Sequence, residues 1–155
     1  VSIYKYDPNI QLFVRICRFS ENPTYNEGGD KTFPNNVGII AKAWMSDSGT
    51  IKIESLPCPK TDFGRYHLKQ KTIGINLTKK KLRLKRMKSR SYYGYRIFDD
   101  ENNQNVAVAI FESEKKQGFS MKKIRNMLES EVGMFLIKKI CNKKLTSFAH
   151  CEIGA

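Results

Sequence analysis

The sequence from Arg90 to Ser113, RSYYGYRIFDDENNQNVAVAIFES, contains two apolar runs around a polar tip. The runs are Tyr92–Phe98 and Val106–Phe111, and the tip between them is acidic and rich in Asn. Aromatic and β-branched residues fill both runs and the tip supplies turn formers, so the pattern predicts a β-hairpin. The second run is apolar without alternation. This predicts a strand that is covered on both faces, in the interior of a sheet.

Two further strands are predicted at the start of the chain. Val1–Tyr6 alternates apolar and polar residues, and Ile10–Phe19 does so after a turn at Asp7-Pro8-Asn9. The alternation places Phe13, Arg15 and Cys17 on one face of the second strand and Val14 and Arg18 on the other. The loop-forming composition of Ser20–Pro34 separates this hairpin from the next element.

The segment after this loop has one helical and one extended pattern. The apolar residues of GIIAKAW have helical spacing, and Asn35 or Asn36 is the expected helix cap. Thr50–Leu56 alternates as a short strand, and Pro57 ends it because proline lacks the amide donor that a ladder needs.

A basic region lies between this strand and the central hairpin. Asp62 is expected to cap a helix that continues to Gln70. Asn76 or Thr78 could start another helix, whereas the alternation of Leu82 and Leu84 with cations also suits a strand. Both interpretations stay open, with a strand beginning at about residue 88.

The last predicted element is one amphipathic helix, Met121–Lys144, capped by Ser120. Its apolar stripe includes Leu128 and Phe135 and is wider than one sheet face can cover. We therefore expect the chain to form a homodimer through this helix. The tail, Leu145–Ala155, is mixed in composition and predicts no element.

Length and composition predict one globular domain, over residues 1–144, followed by this tail. The four cysteines have no metal-ligand spacing. Cys17 and Cys141 lie in apolar segments where a buried free thiol is usual, which favours a reducing cytoplasm. The sequence contains no apolar run near the roughly 20 residues of a membrane span. Because the strand pattern starts at Val1 without an initiator Met, we expect a fragment of a longer protein, whose attachment to a membrane stays open.

The net charge of +13 is concentrated in one region. Between Lys60 and Arg96, 13 basic residues face a single acid, whereas the rest of the chain has 15 basic and 14 acidic residues. The run KKKLRLKRMKSR, residues 79–90, has eight Lys or Arg among twelve. It is either a solvated face or an anion site for the phosphates of a ligand, a nucleic acid or a lipid surface.

Three stretches resemble the GAF domain family. NNVGIIAKAWMSDSGTIKIESLP resembles the segment in which a glycine opens a helix that leads into a strand. RSYYGYRIFDDENNQNVAVAIFES resembles the fourth and fifth strands of the family, although Arg96 stands where the family usually has Pro. MKKIRNMLESEVGMFLIKKI resembles the closing helix. The resemblance is to an outlying member that lacks the usual first helix.

The resemblance implies an α+β fold, an antiparallel sheet of about five to six strands with helices on both faces. It also implies a regulatory module of a larger protein that binds a small molecule. The motifs of the cyclic-GMP-binding and bilin-attaching members are missing, and the cofactor stays unknown. Free methionine sulfoxide reductases share the fold but need clustered cysteines, and only Cys58 lies near that region. We therefore expect no enzymatic activity.

Ten residues form the predicted ligand site. Aromatic and apolar side chains line a pocket under the middle segment, Tyr66 and His67 supply polar contacts, and cations meet the anionic, nucleotide-like ligand. The residues are Trp44, Ile53, Phe63, Tyr66, His67, Lys85, Arg86, Lys88, Arg90 and Tyr93. The alternative function is a basic module that contacts nucleic acid or an anionic membrane without a small ligand.

Overall fold

The structure, a computed structural model, describes residues 1–26, 28–142 and 145. The strands are β1 (Ser2–Asp7), β2 (Leu12–Arg18), β3 (Thr32–Pro34), β4 (Thr50–Ile53), β5 (Ser91–Asp99) and β6 (Gln104–Ser113). The α-helices are α1 (Gly38–Met45), α2 (Phe63–Thr72), α3 (Lys79–Leu84), α4 (Met121–Glu129) and α5 (Glu131–Asn142). One turn of 3-10 helix, Pro23–Tyr25, lies in the β2–β3 loop.

The six strands form one antiparallel sheet in the order β3-β2-β1-β6-β5-β4. Strand β6 lies between β1 and β5, and Val106–Phe111 is buried throughout. The prediction of an interior strand paired to Tyr92–Phe98 is confirmed, as is the α+β class with helices on both faces. This architecture is consistent with a GAF-like fold.

The helices divide between the two faces of the sheet and form two cores. Helices α1, α2 and α3 bury Ile40, Tyr66 and Leu82 in the larger core, which also contains Phe13 and Tyr92. On the other face, α4 and α5 cover a second core. We call the first face the α1–α3 face and the second the α4–α5 face.

Helix α1 lies very close to the sheet at Gly94. A Cβ at this position would be 2.8 Å from the Cβ of Ala43 and 2.8 Å from the Cγ2 of Ile51. Glycine is therefore required here by space, since any larger residue would push the helix away from β5.

The predicted elements differ from the structure in four places. Part of the predicted loop forms β3 at the sheet edge, since Phe13 pairs with Phe33. Neither Asn35 nor Asn36 caps α1; Val37 occupies the N-cap position and makes no side-chain bond. Strand β5 begins at Ser91 and not at about residue 88. Of the two patterns left open before it, the helix is the correct one, since Leu82 and Leu84 lie in α3, which Thr78 caps.

The fourth difference is a break in the predicted terminal helix at Ser130. The Ser130 hydroxyl accepts a bond from the Gly133 amide at 3.1 Å and donates to the Met127 carbonyl at 2.7 Å. It therefore ends α4 and caps α5 at once. A Cβ on Gly133 would meet the carbonyls of Met127 and Leu128, so glycine permits this tight junction. Lys143, Lys144 and the tail beyond Leu145 lie outside the described residues.

A β-bulge changes the faces of β2. The register shifts between Ile3 and Tyr4, so that Ile3 pairs with Cys17 and Tyr4 with Arg15. The extra residue reverses the alternation, and Arg15 and Arg18 come to the same face. Cys17 is exposed, so the prediction that it is a buried thiol was wrong.

Candidate anion-binding site

Side chains of helix α2 bind backbone carbonyls at both ends of the basic segment, residues 77–89. At the start of this segment, the Nε2 atom of His67 lies 2.9 Å from the Leu77 carbonyl. At its end, the Ser89 carbonyl accepts bonds from the Tyr66 hydroxyl at 3.0 Å and from the Gln70 amide at 3.3 Å. Tyr66, His67 and Gln70 are all buried. The segment between Leu77 and Ser89 is thus fixed at two points although most of its side chains face solvent.

Burial keeps the hydroxyls of this cluster protonated. It raises the pKa of Tyr66 to about 12, and it raises the pKa of Tyr92 further. The Tyr92 hydroxyl lies 3.3 Å from both polar side-chain atoms of Gln70. Tyr66 therefore remains a hydrogen-bond donor to Ser89 even at alkaline pH, where an ordinary tyrosine would lose its proton.

Helices α2 and α3 are linked at two points and together carry a set of exposed cations. His67 contacts Leu77 before α3, and the Arg83 guanidinium within α3 lies 4.7 Å from the ring centroid of Phe63. Nine cations of this region are exposed: Lys60, Arg65, Lys69, Lys71, Lys79, Lys80, Lys81, Arg83 and Arg86. We call these nine residues the basic surface.

The charge of the basic surface is not neutralised within the described residues. Their three ion pairs are Arg18–Glu112, Lys52–Glu54 and Lys138–Glu101, and none includes a residue of the basic surface. The one acid of the region, Asp62, accepts a bond from the Arg65 amide at 2.9 Å and so caps α2. Arg86 donates to a backbone carbonyl and Arg83 lies over the Phe63 ring, and the side chains of the other seven cations have no partner among the described residues, so they can meet an external anion.

Four of the predicted ligand-binding residues are the cations Lys85, Arg86, Lys88 and Arg90, and three of them donate hydrogen bonds to backbone carbonyls of the chain itself. Arg86 donates to the Thr24 carbonyl at 3.0 Å and Arg90 to the Leu56 carbonyl at 3.0 Å. The ammonium of Lys88 donates to the Lys85 carbonyl at 2.8 Å. Of these four cations only Arg86 is classed as exposed. Arg86, Lys88 and Arg90 anchor the segment that enters β5.

The remaining predicted residues do not form one pocket. Trp44 packs on Tyr6 and Phe13, with ring centroids 5.2 Å apart in each pair. Tyr93 lies on the α4–α5 face beside Phe111, because neighbouring residues of a strand point to opposite faces. Ile53 and Phe63 pack against the larger core, where Tyr66 is 1% exposed. The predicted pocket is thus divided between two faces and largely filled by side chains.

Two arginines that sequence reasoning did not include lie on the α1–α3 face. Arg15 and Arg18 both reach the β2–β3 loop, where they donate to the carbonyls of Gly29 at 3.4 Å and Gly28 at 3.2 Å. The Nη1 atom of Arg15 is buried and has no hydrogen-bond partner among the described residues. Regular strand alternation would place these two residues on opposite faces of β2. The bulge that brings them to the same face is not predicted by the sequence pattern.

The described cysteines are free thiols on separate elements. Cys17 lies on β2, Cys58 precedes α2, and Cys141 lies on α5. The backbone amide of Lys60 holds the pKa of Cys58 below its usual value, whereas burial raises the pKa of Cys141. Within the described ranges no cluster of His, Cys, Asp and Glu could hold a metal ion, and no helix is long and apolar enough to cross a membrane.

Comparison with known proteins gives a structural match. No protein-family model matches the chain, and no curated protein matches it by sequence. The X-ray structure of free methionine-R-sulfoxide reductase from Neisseria meningitidis, in complex with its substrate, superposes with a TM-score of 0.54 at 16% identity. The match covers 90% of this chain and 64% of that structure.

The match shows the fold. It also corrects the expectation that the chain is not an enzyme, because the protein of that structure is an enzyme with its substrate bound. A fold of this kind therefore does not exclude catalysis, and the missing cysteine cluster was an insufficient reason to exclude it.

Proposed function

We propose that the chain is an outlying GAF domain whose function is to bind an extended, phosphate-bearing partner, nucleic acid, through the basic surface. The observation that carries the proposal is the set of nine exposed cations without an ion pair among the described residues. Each phosphate that such a cation neutralises releases a condensed counterion, so that nine cations supply affinity without base-specific contacts.

The fixed ends of the segment support this proposal. Like charges on a six-residue helix repel one another, and the bonds from His67, Tyr66 and Gln70 oppose that repulsion. Because these bonds use backbone carbonyls and buried side chains, they leave the cations of α3 free for a partner. The arrangement is therefore suited to holding positive charge in a defined place on the surface.

Binding to a fluorescein-labelled single-stranded oligonucleotide tests the proposal directly. The test variant replaces Lys79, Lys80 and Lys81 with Gln, a residue that is compatible with a helix. The control variant replaces Lys122, Lys123 and Arg125, three exposed cations of α4 on the opposite face. Both variants lose three positive charges, so net charge alone affects them equally.

We expect the α3 variant to bind the oligonucleotide at least tenfold more weakly at 100 mM salt, and the α4 variant to bind nearly as well as the parent chain. Equal losses of affinity in both variants would mean that net charge alone determines binding, and would contradict the proposal.

A second experiment measures binding to vesicles that contain anionic lipid. If they bind and Leu68→Gln with Leu84→Gln abolishes this, the partner is a membrane, because these exposed leucines would enter the lipid.

A compact anionic ligand is the second candidate, and one observation favours it. The buried Nη1 atom of Arg15 has no partner among the described residues, and an unpaired buried donor is costly. An anionic group beside Arg15 would accept a bond from this atom and would lie near Arg18, which pairs with Glu112 at 4.0 Å. The substrate held by the structurally similar reductase shows that a related fold accommodates a small molecule. Arg15→Gln should then abolish ATP binding and leave oligonucleotide binding unchanged.

A further inference from the structure

A groove of about 590 Å³ lies on the α4–α5 face, away from the basic surface. It runs between the end of β5 and the two helices. Its apolar lining includes Phe98, Leu128, Met134, Phe135 and Ile137. Met134 and Phe135 are 62% and 59% exposed, so large apolar side chains face solvent here. Exposed apolar surface of this kind marks an interaction site more often than a solvated face.

The rim of the groove is acidic although the chain carries a net charge of +13. Asp100 and Glu101 from the hairpin tip and Glu129 from α4 line it and are exposed. Lys138 forms an ion pair with Glu101 at 2.7 Å, which leaves Asp100 and Glu129 without an ion pair among the described residues. The lining carries four carboxylates, on Asp99, Asp100, Glu101 and Glu129, against the single cation of Lys138, and the ammonium of Lys139 lies 5.2 Å from the ring centroid of Phe135. The groove therefore combines an apolar floor with a net negative charge.

Both walls of the groove are ordered by specific hydrogen bonds. On one side, Asp99 accepts from the Asn102 side chain at 2.8 Å and from the Glu101 amide at 3.1 Å, which holds the hairpin tip in place. On the other side, Ser130 and Gly133 set the junction between α4 and α5. The groove is thus formed before any partner binds, which lowers the entropic cost of binding.

We propose that this groove binds a basic amphipathic helix of a partner protein. Leucine-type anchors at helical spacing would occupy the floor, and flexible Met134 would adapt to them. Lysine or arginine residues flanking these anchors would face Asp100 and Glu129. The charge on the rim is what selects a basic helix rather than an acidic or neutral one.

The same charges disfavour two other occupants. A second copy of the chain in a two-fold symmetric dimer would bring a second acidic rim, with no added positive charge, into the same interface. An anionic membrane would meet the same carboxylates. Self-association through the last helix, which the apolar stripe predicts, stays a prediction, and the experiment below distinguishes it.

The test uses a fluorescein-labelled 14-residue peptide of Leu and Lys, with Leu at helical spacing, and measures anisotropy. We expect saturable binding, and at least tenfold weaker binding of a peptide with the same Leu positions and Glu in place of Lys. Asp100→Asn with Glu129→Gln should weaken binding of the Lys peptide about tenfold. Glu21→Gln with Asp30→Asn removes the same charge from exposed positions outside the groove and should have no effect.

A second pair of variants tests the apolar floor. Phe135→Gln should abolish peptide binding, whereas Val132→Gln, which alters a side chain 69% exposed on the same helix but outside the groove lining, should not. Both positions are exposed, so both variants should fold. The proposal is overturned by equal affinity for the Lys and Glu peptides, by no binding of either, or by binding that survives Phe135→Gln. A parent dimer that Phe135→Gln converts to monomer, and that excludes the peptide, would assign the groove to a second copy.

Discussion

At the scale of single residues, three side chains of α2 decide where the basic segment lies. Tyr66 and Gln70 bind the carbonyl of Ser89, and His67 binds that of Leu77. The sequence suggested Tyr66 and His67 as polar contacts to a ligand, but they bind backbone carbonyls inside the protein. Every residue has a backbone carbonyl, so the sequence does not show whether a polar side chain binds a carbonyl inside the protein or a ligand.

Removal of the Tyr66 hydroxyl measures one of these bonds. Tyr66→Phe should lower the free energy of unfolding by about 1 kcal/mol, because the Ser89 carbonyl keeps only the longer bond from Gln70. The measurement is denaturant unfolding. Tyr95→Phe is the control, since the Tyr95 hydroxyl makes no hydrogen bond within the described ranges. Equal stability changes in the two variants would contradict the role given to Tyr66.

The basic side chains show which features of the candidate site the sequence could not predict. Arg86, Lys88 and Arg90 were found from charge density alone, and the structure shows that each has a backbone carbonyl partner. Arg15 and Arg18 were missed because they precede the basic region and alternate faces in an ideal strand. The bulge leaves Ile16 unpaired between Cys17 and Arg15, and the alternation in the sequence does not predict it.

At the scale of elements, patterns set by burial were predictable. The unbroken apolar run identified β6 as an interior strand, and Asp62 marked the start of α2. Elements set by tertiary contacts were not predictable. Strand β3 has three residues and pairs only with β2, and the break at Ser130 interrupts an otherwise continuous amphipathic pattern.

The packing of α1 on β5 gives a prediction at this scale. Gly94→Ala should destabilise the fold by about 1–3 kcal/mol, because the new methyl group would lie 2.8 Å from Ala43 and Ile51. Gly64→Ala is the control. Its nearest neighbour would be 3.8 Å away and alanine favours a helix, so this change should be neutral or slightly stabilising. If Gly94→Ala were as stable as the parent chain, α1 would not pack as described.

At the scale of the whole molecule, the two faces differ in charge and apolar content. The α1–α3 face carries the basic surface, and the α4–α5 face carries an apolar groove with an acidic rim. The sheet separates them, so that two partners could bind without competing. The concentration of positive charge in one region could be predicted from the sequence. The position of the acidic β5–β6 tip beside α4 and α5 could not, because it depends on how these strands pair.

The dependence of affinity on salt tests the central claim, that the basic surface binds an extended phosphate backbone. For a single-stranded oligonucleotide, the slope of log affinity against log salt is about −0.7 for each phosphate neutralised. If six of the nine cations take part, we expect a slope of about −4, and replacing Lys79, Lys80 and Lys81 should reduce its magnitude by about 2. ATP should give a slope between about −1 and −3. A shallow slope for the oligonucleotide, unchanged in the α3 variant, would contradict the account.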